Sequence, residues 1–593
     1  MSKRTVWMRV ICAMAILTAV LLLAACEPEA KGYWYKASAP LSEWMCTKPA
    51  KQQDTTKVTL PYGTGSMWET TWTEMPLVPF SKICFLAPDK FLFELRLNGQ
   101  PIVTNDAYTC WPASFDSVYL FPASMELRPY AIDTALFRKL LKADANKLSL
   151  RVKGKIESDF DATQCALFAY TTAQGQPPTA LSGTQHPLGD VNLPLVTITA
   201  DKYSIPNEPK VNALLGVQCS NNDCKEIKRS IRIEVRGFSS SSYDKKQYTF
   251  TTAGDSTSKE KIDLLGMGTA RRWILQGPYS DVSLIRNAWV YEMWRRMGHW
   301  APESRYVELV LNGNYQGVYM LMEKVEAGKS RLNLTVDTTY TSTFLVQLNR
   351  RKDGDDIIQD HGLMYILSDL PGMKKDDAYR NYVTQQLALM NDALEHPLLH
   401  EDVLDVATLT DYILLQEMVK NIDAYKVSTW FYKDDDAVDG RFICGPVWDF
   451  DLSVGNCNIA RGEATDGFVH NTDNAIPHYF KNKWDDAPYK ERMRARYKEL
   501  RSALWNEEQL AQVMDSLTAA IGNEAIERNY MRFPVFGKEK FLNRTHMPTN
   551  HTAEVESMKT WMHQRLEWLD QYFDGTAIIR NYHNQLVSVP SHP

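Results

Sequence analysis

The chain has 593 residues, 44% hydrophobic, 11% aromatic and 23% charged, which suffices for large cores and excludes a disordered or fibrous protein. Lys and Arg total 66 against 72 Asp and Glu, a net charge of −6. No basic block interrupts this balance, so nucleic acid is excluded as a partner class.

Lys3, Arg4 and Arg9 precede the apolar run "VICAMAILTAVLLLAA", too short for a comfortable membrane span, which ends in "LAAC" at Cys26. Small residues before a cysteine resemble the bacterial lipobox. The expectation is a signal peptide over 1–26 and a diacylated Cys26. The chain would then be exported and lipid-anchored to the cell envelope, at the outer membrane or cell surface, since several acyl chains hold where one does not. Outside the cytoplasm disulfides are permitted. Cys219 with Cys224, and Cys444 with Cys457, are close enough in sequence to pair, although connectivity is not legible. No CxxC supports a zinc site.

Between 27 and 190, short runs such as "FLFELRLNG", "SVYLFPA" and "KLSLRVKG" alternate apolar and polar residues around Asn-Gly, Pro and Ser turns. The pattern predicts a β-sandwich-like module with one short helix, "DTALFRKLLKAD", and an interaction or spacer role. "TTAQGQPPTALSGTQHPLGD" marks its end.

A second region, 191–375, opens with the strand "SIRIEVRG", the serine run Ser239 to Ser242 and the strand "KKQYTF". "SDVSLIRNAWVYEMWRRMG" has a helical period, with Ser280 or Asp281 as N-cap and Gly298 as stop. Glu292 falls on its apolar stripe and needs a partner: a lysine of the preceding strand, or Arg295 or Arg296. A hairpin around Asn312-Gly313 and the strand "TFLVQLN" follow. From 376 to 575 the chain turns mainly helical and ends in a helical cap, leaving a tail over 576–593. Within it "ATLTDYILLQEMVKN" leads into Asp423, and a hairpin turning at Asp439-Gly440 separates Asp423 from Asp449 and Asp451. The acidic run Asp434 to Asp436 reads as solvated. Asp449 and Asp451 alternate as on a strand, pointing to one face.

Phosphoryl transfer needs a turn over the phosphates, a lysine held by a glutamate, a base near the acceptor hydroxyl and a metal-holding aspartate. "GFSSSS", Lys245 or Lys246, Glu292, Asp423 and Asp449 occur in that order. Arg236 before the turn and Ser240 within it are further nucleotide contacts, and Asp451 joins Asp449 as a metal ligand. Two neighbouring carboxylates also suit a glycan hydrolase.

From about Pro194 to Phe573 the chain resembles the CotH family, spore-coat protein kinases related to secretory-pathway kinases. The residues that carry the resemblance are "VRGFSSSSYDKKQYTF", "WILQGPYSDVSLIRNAWVYEMWRRMG", "YVELVLNGNYQGVYMLMEKVE", "KNIDAYKVSTWFYKD" and "GPVWDFDLSVGN". The resemblance implies an α+β, atypical two-lobed protein-kinase-like fold, here preceded by the all-β module. It also implies ATP, Mg²⁺ or Mn²⁺, and protein substrates with exposed serines. Asp423 then matches the catalytic aspartate, Asp449 the metal ligand and Lys245/Lys246 the paired lysines. Arg286-Asn287 match the family's "RN", and Glu323 its strand-ending glutamate. One position departs: kinases place a second-metal asparagine five residues after the catalytic aspartate, and this chain has Ser428. A non-catalytic, kinase-fold binding lipoprotein is the alternative that this departure leaves open.

Overall fold

The computed structural model describes residues 193–577 almost continuously, with gaps at 201–204, 220–225, 254–259, 313, 338–340, 472–475, 539–540 and 543. Upstream it describes 18–19, 33–36, 45–48, 67–72, 82–88, 93–105, 127–142, 146–153 and 166–171, and downstream 579–580 and 586–588. Cys26 lies outside the described residues, and so do Gly313 and Cys224. No described helix is long and apolar enough to cross a membrane.

Helices and strands mix throughout, which makes the fold α+β. The chain divides into two compact units. The first gathers Met1–Glu260, Tyr306–Tyr319 and Ile521–Pro534, and the second Lys261–Arg305, Met320–Ala520 and Val535–Pro593.

Upstream in the first unit the alternating runs form two five-stranded sheets. One contains Lys82–Pro88 and Leu127–Ile132, the other Phe93–Leu97 and Asn146–Val152. Alternation puts Phe85, Phe93, Leu95, Leu148 and Leu150 inside. The two sheets meet through Phe93, whose ring centroid is 5.4 Å from Phe85 and 4.9 Å from Tyr130. The short helix is Thr134–Leu140, capped by the Asp133 carboxylate on Ala135 and Leu136 N–H.

A closed barrel, which local patterning does not foretell, takes seven strands. In order they are Leu195–Ala200, Val211–Gln218, Ile227–Arg236, Gln247–Thr252, Arg272–Gln276, Asn314–Glu323 and Ser304–Leu311. Leu195–Ala200 closes it by lying parallel to Ser304–Leu311, with Thr197 opposite Val310. Closure removes the exposed strand edges.

The second unit carries a five-stranded antiparallel sheet: Ile357–Asp360, Leu363–Leu367, Phe344–Leu348, Thr429–Lys433 and Phe442–Cys444. Its principal helices are Arg286–Arg296, Asp377–Glu395, Val406–Val419, Ala487–Ala503 and His551–Phe573. Val406–Val419 is buried on nearly every side, as its apolar run requires.

Several local expectations change. Arg286–Arg296 starts after Ile285 rather than at Ser280 or Asp281, because the Asp281 carboxylate reaches forward to Arg286 N–H (2.9 Å) from outside the helix. Gly298 does stop it, with φ +97° and its N–H on Arg295 O. The Asp439-Gly440 turn is a one-turn helix, Asp436–Asp439, capped by Asp435. The acidic run is partnered rather than merely solvated: Asp434 accepts Thr335 N–H (2.8 Å), and Asp436 pairs with Lys433. Cys444 and Cys457 are buried free thiols, not a disulfide, while Cys219 is disulfide-bonded.

Candidate functional site

In the second unit, helix Val406–Val419 ends at Lys420 in a left-handed conformation and releases the turn Asn421 to Ser428. Asn421 organises this turn. Its Oδ1 accepts Asp423 N–H (3.3 Å), and its Nδ2 donates to the Asp449 carbonyl (3.2 Å). Ser428 Oγ donates to Asp449 Oδ2 at 3.2 Å. The turn with Asp423 and the segment with Asp449 are therefore tied together at Asp449.

Asp449 and Asp451 do not stand on a strand, contrary to their alternation. Asp449 has φ +69°, and Asp451 begins a turn after the strand Phe442–Cys444. Tyr425, Ser428 and Val454 also have positive φ, at 72°, 54° and 49°. Such non-glycine conformations cost free energy and persist where surrounding contacts over-determine them.

Those contacts are specific. Asp451 is buried, and its carboxylate accepts from Asn287 Nδ2, Gln276 Nε2 (3.3 Å) and Ser280 Oγ (3.1 Å). Asn287 Oδ1 also accepts Phe450 N–H (2.7 Å), so one amide holds both ends of this corner. Asn456 Nδ2 donates to Asp451 O (2.6 Å) and Ser280 O (3.0 Å). Arg286 donates to the Ser453 and Val454 carbonyls (3.0 and 3.2 Å) and pairs with Asp281 (2.6 Å) and Glu554 (2.8 Å). Arg544 joins Glu554 (2.7 Å) to Asn456 Oδ1 (2.8 Å). Burial, then the charges of Asp449 and Asp281, push the Asp451 carboxyl well above the usual range. A cation between Asp449 and Asp451 would relieve that repulsion.

The donor set fits a hard divalent cation. Asp449, Asp451 and Ser428 offer oxygen alone, and Mg²⁺ is held by one or two carboxylates with substrate phosphates and water completing its shell. Among the described residues no group of three or more His, Cys, Asp or Glu is placed to hold a metal by itself.

The other expected nucleotide contacts separate into distinct environments. In the first unit Lys245 is the lysine that turns inward, 1% exposed, with Nζ on Val318 O (2.6 Å) and Asn529 Oδ1 (2.7 Å). Tyr319 and Phe533 rings lie 5.0 and 5.5 Å from it, and burial pulls its pKa well down. Lys246 is half-buried and lends its carbonyl to Tyr319 Oη (2.7 Å). Arg236 ends the strand Ile227–Arg236 opposite Gln247. Ser240 lies in the 3₁₀ turn Ser239–Ser242, its Oγ 2.0 Å from where a Cβ on Gly237 would stand. That crowding, with φ +107° at Gly237, demands glycine there.

In the second unit Glu292 pairs with Arg295 (3.2 Å) and Arg296 (3.0 Å) of its own helix, the arginine partners open to it from the sequence. Glu323 is buried, pairs with Arg331 and accepts Glu303 N–H (2.8 Å). Burial pushes its pKa up to about 7, against the Glu303 N–H bond and the Arg331 charge.

Sequence reasoning passed over Gln276, Asn456, Arg544 and Glu554, and took Ser280 only for a helix cap. The "RN" pair was the one visible signal, without a role for Asn287. The site is a pair of carboxylates, Asp449 and Asp451, the second set in a shell of amides and a hydroxyl, within an α+β fold. Residues 233–569, more than half of the chain, match the family described as CotH kinase protein. The chain belongs to that family, which is kinase-like. No curated protein matches it.

Proposed function

We propose that this chain is a CotH-type protein kinase, transferring the γ-phosphate of ATP to serine hydroxyls of envelope or secreted proteins, on a two-lobed kinase-like scaffold. The observation that carries this reading is the junction at Asp449, where Ser428 Oγ and Asn421 Nδ2 bind its carboxylate and carbonyl. It joins the base candidate to the metal candidate.

Asp449 and Asp451 would hold Mg²⁺ or Mn²⁺, with Ser428 at the second-metal position. The cation supplies charge neutralisation on the phosphates. Asp423, half-buried, takes the proton of the serine hydroxyl as that oxygen bonds the γ-phosphorus and the bridge to ADP breaks. Lys246, Arg236 and Ser240 are the proposed phosphate contacts of the first unit. Lys245 is held inside the first unit by its bonds to Asn529 and Val318, and Glu323 pairs with Arg331 in the second unit. Incubating the purified chain with γ-labelled ATP, Mg²⁺ or Mn²⁺ and a casein-like acceptor should yield labelled protein. Nucleotide binding without label under either metal would favour the non-catalytic reading.

Ser428 offers a sharper test. Asparagine at this position would extend an amide oxygen further than the hydroxyl reaches. Ser428→Asn is expected to raise transfer and lower the Mg²⁺ concentration required, and Ser428→Ala to reduce transfer. Metal-titrated assays alongside melting curves check this; activity that follows melting temperature alone would make Ser428 structural.

We also propose that acylated Cys26 tethers the mature chain to the envelope membrane. Cys26→Ala is expected to leave an uncleaved or soluble precursor. Fractionation that finds the variant processed and membrane-bound would refute the tether.

A further inference from the structure

Helix Val406–Val419 delivers the chain to Asp423, so whatever secures its C-terminal end also places that aspartate. Lys420 sits at this end with φ 49° and is 1% exposed. Its Nζ donates to three backbone carbonyls of one segment: Arg461 (2.8 Å), Ala464 (2.8 Å) and Asp466 (2.7 Å). An ammonium carries three donors, so three acceptors satisfy it fully, whereas a neutral amine would leave one carbonyl unmet.

Arg565 continues the pattern. Its Nη1 donates to Thr465 O and Gly467 O, both at 2.7 Å, and its Nη2 to Glu417 O at the helix end (2.7 Å). Arg461 and Asp466 close the segment on itself through a 2.7 Å ion pair. Five carbonyls of 461–467 thus converge on two buried cations. The segment also abuts the turn that carries Asp423: a Cβ on Gly462 would lie 2.8 Å from Ile422 Cγ2. Burial, with Arg565 adding to it, pulls the Lys420 pKa down to about 7, and the Asp466 and Glu417 charges oppose that pull. The charged form is the one that fits three carbonyls.

We infer that Lys420 is a positioning residue, a tethered cation whose ammonium fills a three-carbonyl cage and locks segment 461–466 against the turn bearing Asp423. The cage stands independently of the kinase reading; its effect on Asp423 rests on that reading. The chemistry also names the free ligand that would replace the side chain: a monovalent cation of ammonium size, NH₄⁺ or K⁺. Choline is too large to enter.

The test is Lys420→Ala in the full chain, melted in potassium, ammonium and choline chloride at equal ionic strength. Wild type should melt alike in all three. The variant should melt lowest in choline and regain about 2–4 °C in potassium or ammonium. With Mg-nucleotide, its turnover should fall about tenfold at unchanged KM and recover with the same cations, as expected for a displaced rather than missing base. Lys420→Gln, with two amide donors and no charge, guards against a variant that does not fold. Its amide exchange at 461–467 should be faster than wild type and slowed by potassium. Melting and exchange indifferent to cation identity would overturn the cage. Cation-rescued melting with no transfer even in wild type would sink the kinase reading alone.

Discussion

Replacing Asp423 by alanine is expected to lower phosphoryl transfer by about 10²–10⁴-fold while leaving Mg-nucleotide affinity nearly unchanged, since a positioned base acts in the chemical step. Asp449→Ala should instead abolish metal-dependent nucleotide binding, because its carboxylate is one of two that would hold the cation and its partner Asp451 is buried. The variants should diverge in calorimetry even though both lose activity. The geometry sharpens the contrast. Asp449 also receives Ser428 Oγ, so its loss frees that hydroxyl, whereas the Asn421 bond to the Asp449 carbonyl survives the substitution. Asp423 is held by the turn's own backbone and Asn421, and its removal should leave the Asp449 corner intact. Equal loss of nucleotide binding in both would contradict these separate roles.

A comparably large effect is expected at Glu554, which touches no reacting group. It is fully buried and, together with Asp281, balances the charges of Arg286 and Arg544. Deleting one partner of a buried ion network costs about 3–5 kcal/mol, because the remaining charges stay desolvated. Glu554→Ala should therefore unfold at much lower denaturant and lose nucleotide binding with its structure. The pH dependence has a definite sign. Burial raises the Glu554 pKa, but the Arg286 and Arg544 charges outweigh it and hold the carboxyl below its ordinary 4.5. Its contribution is thus present above the unfolded-state pKa and is lost as pH falls through the lower folded value. Wild type should lose stability on acidification below about pH 4.5, and Glu554→Gln, already weakened, should show a flatter acid limb. Parallel limbs in denaturation curves from pH 7 to 3 would assign acid sensitivity to other carboxylates.

Features with local causes were legible in the sequence. The alternation in Ile227–Arg236, the stop at Gly298 and the hairpin Thr429–Lys433 with Phe442–Cys444 need only neighbours to specify them. The same habit misled at Asp449 and Asp451, where a period of two imitates a strand but a positive φ turns the backbone. Glu292 is a case in which the closest explanation held: arginines three and four residues on lie on the same helix face. The shell around Asp451 was out of reach. Its donors Gln276, Ser280 and Asn287 come from 175, 171 and 164 residues away, and nothing in an isolated asparagine or glutamine announces such a partner. Barrel closure is hidden for the same reason, since its parallel seam pairs Leu195 with Glu308 and Ile198 with Leu311, far apart in the chain.

The first unit is assembled from three separated stretches of chain, the last being Ile521–Pro534. Lys245 finds Asn529 across 284 residues, and Glu308 finds Arg528 across 220. During synthesis, the early part of this unit must therefore wait for residues 528 and 529, with Lys245 short of its Asn529 bond and Glu308 short of its arginine. Vectorial synthesis cannot finish it domain by domain. A chaperone that keeps the nascent chain open suits this order of assembly. Truncation after residue 520 would deprive the unit of partners that no earlier residue replaces.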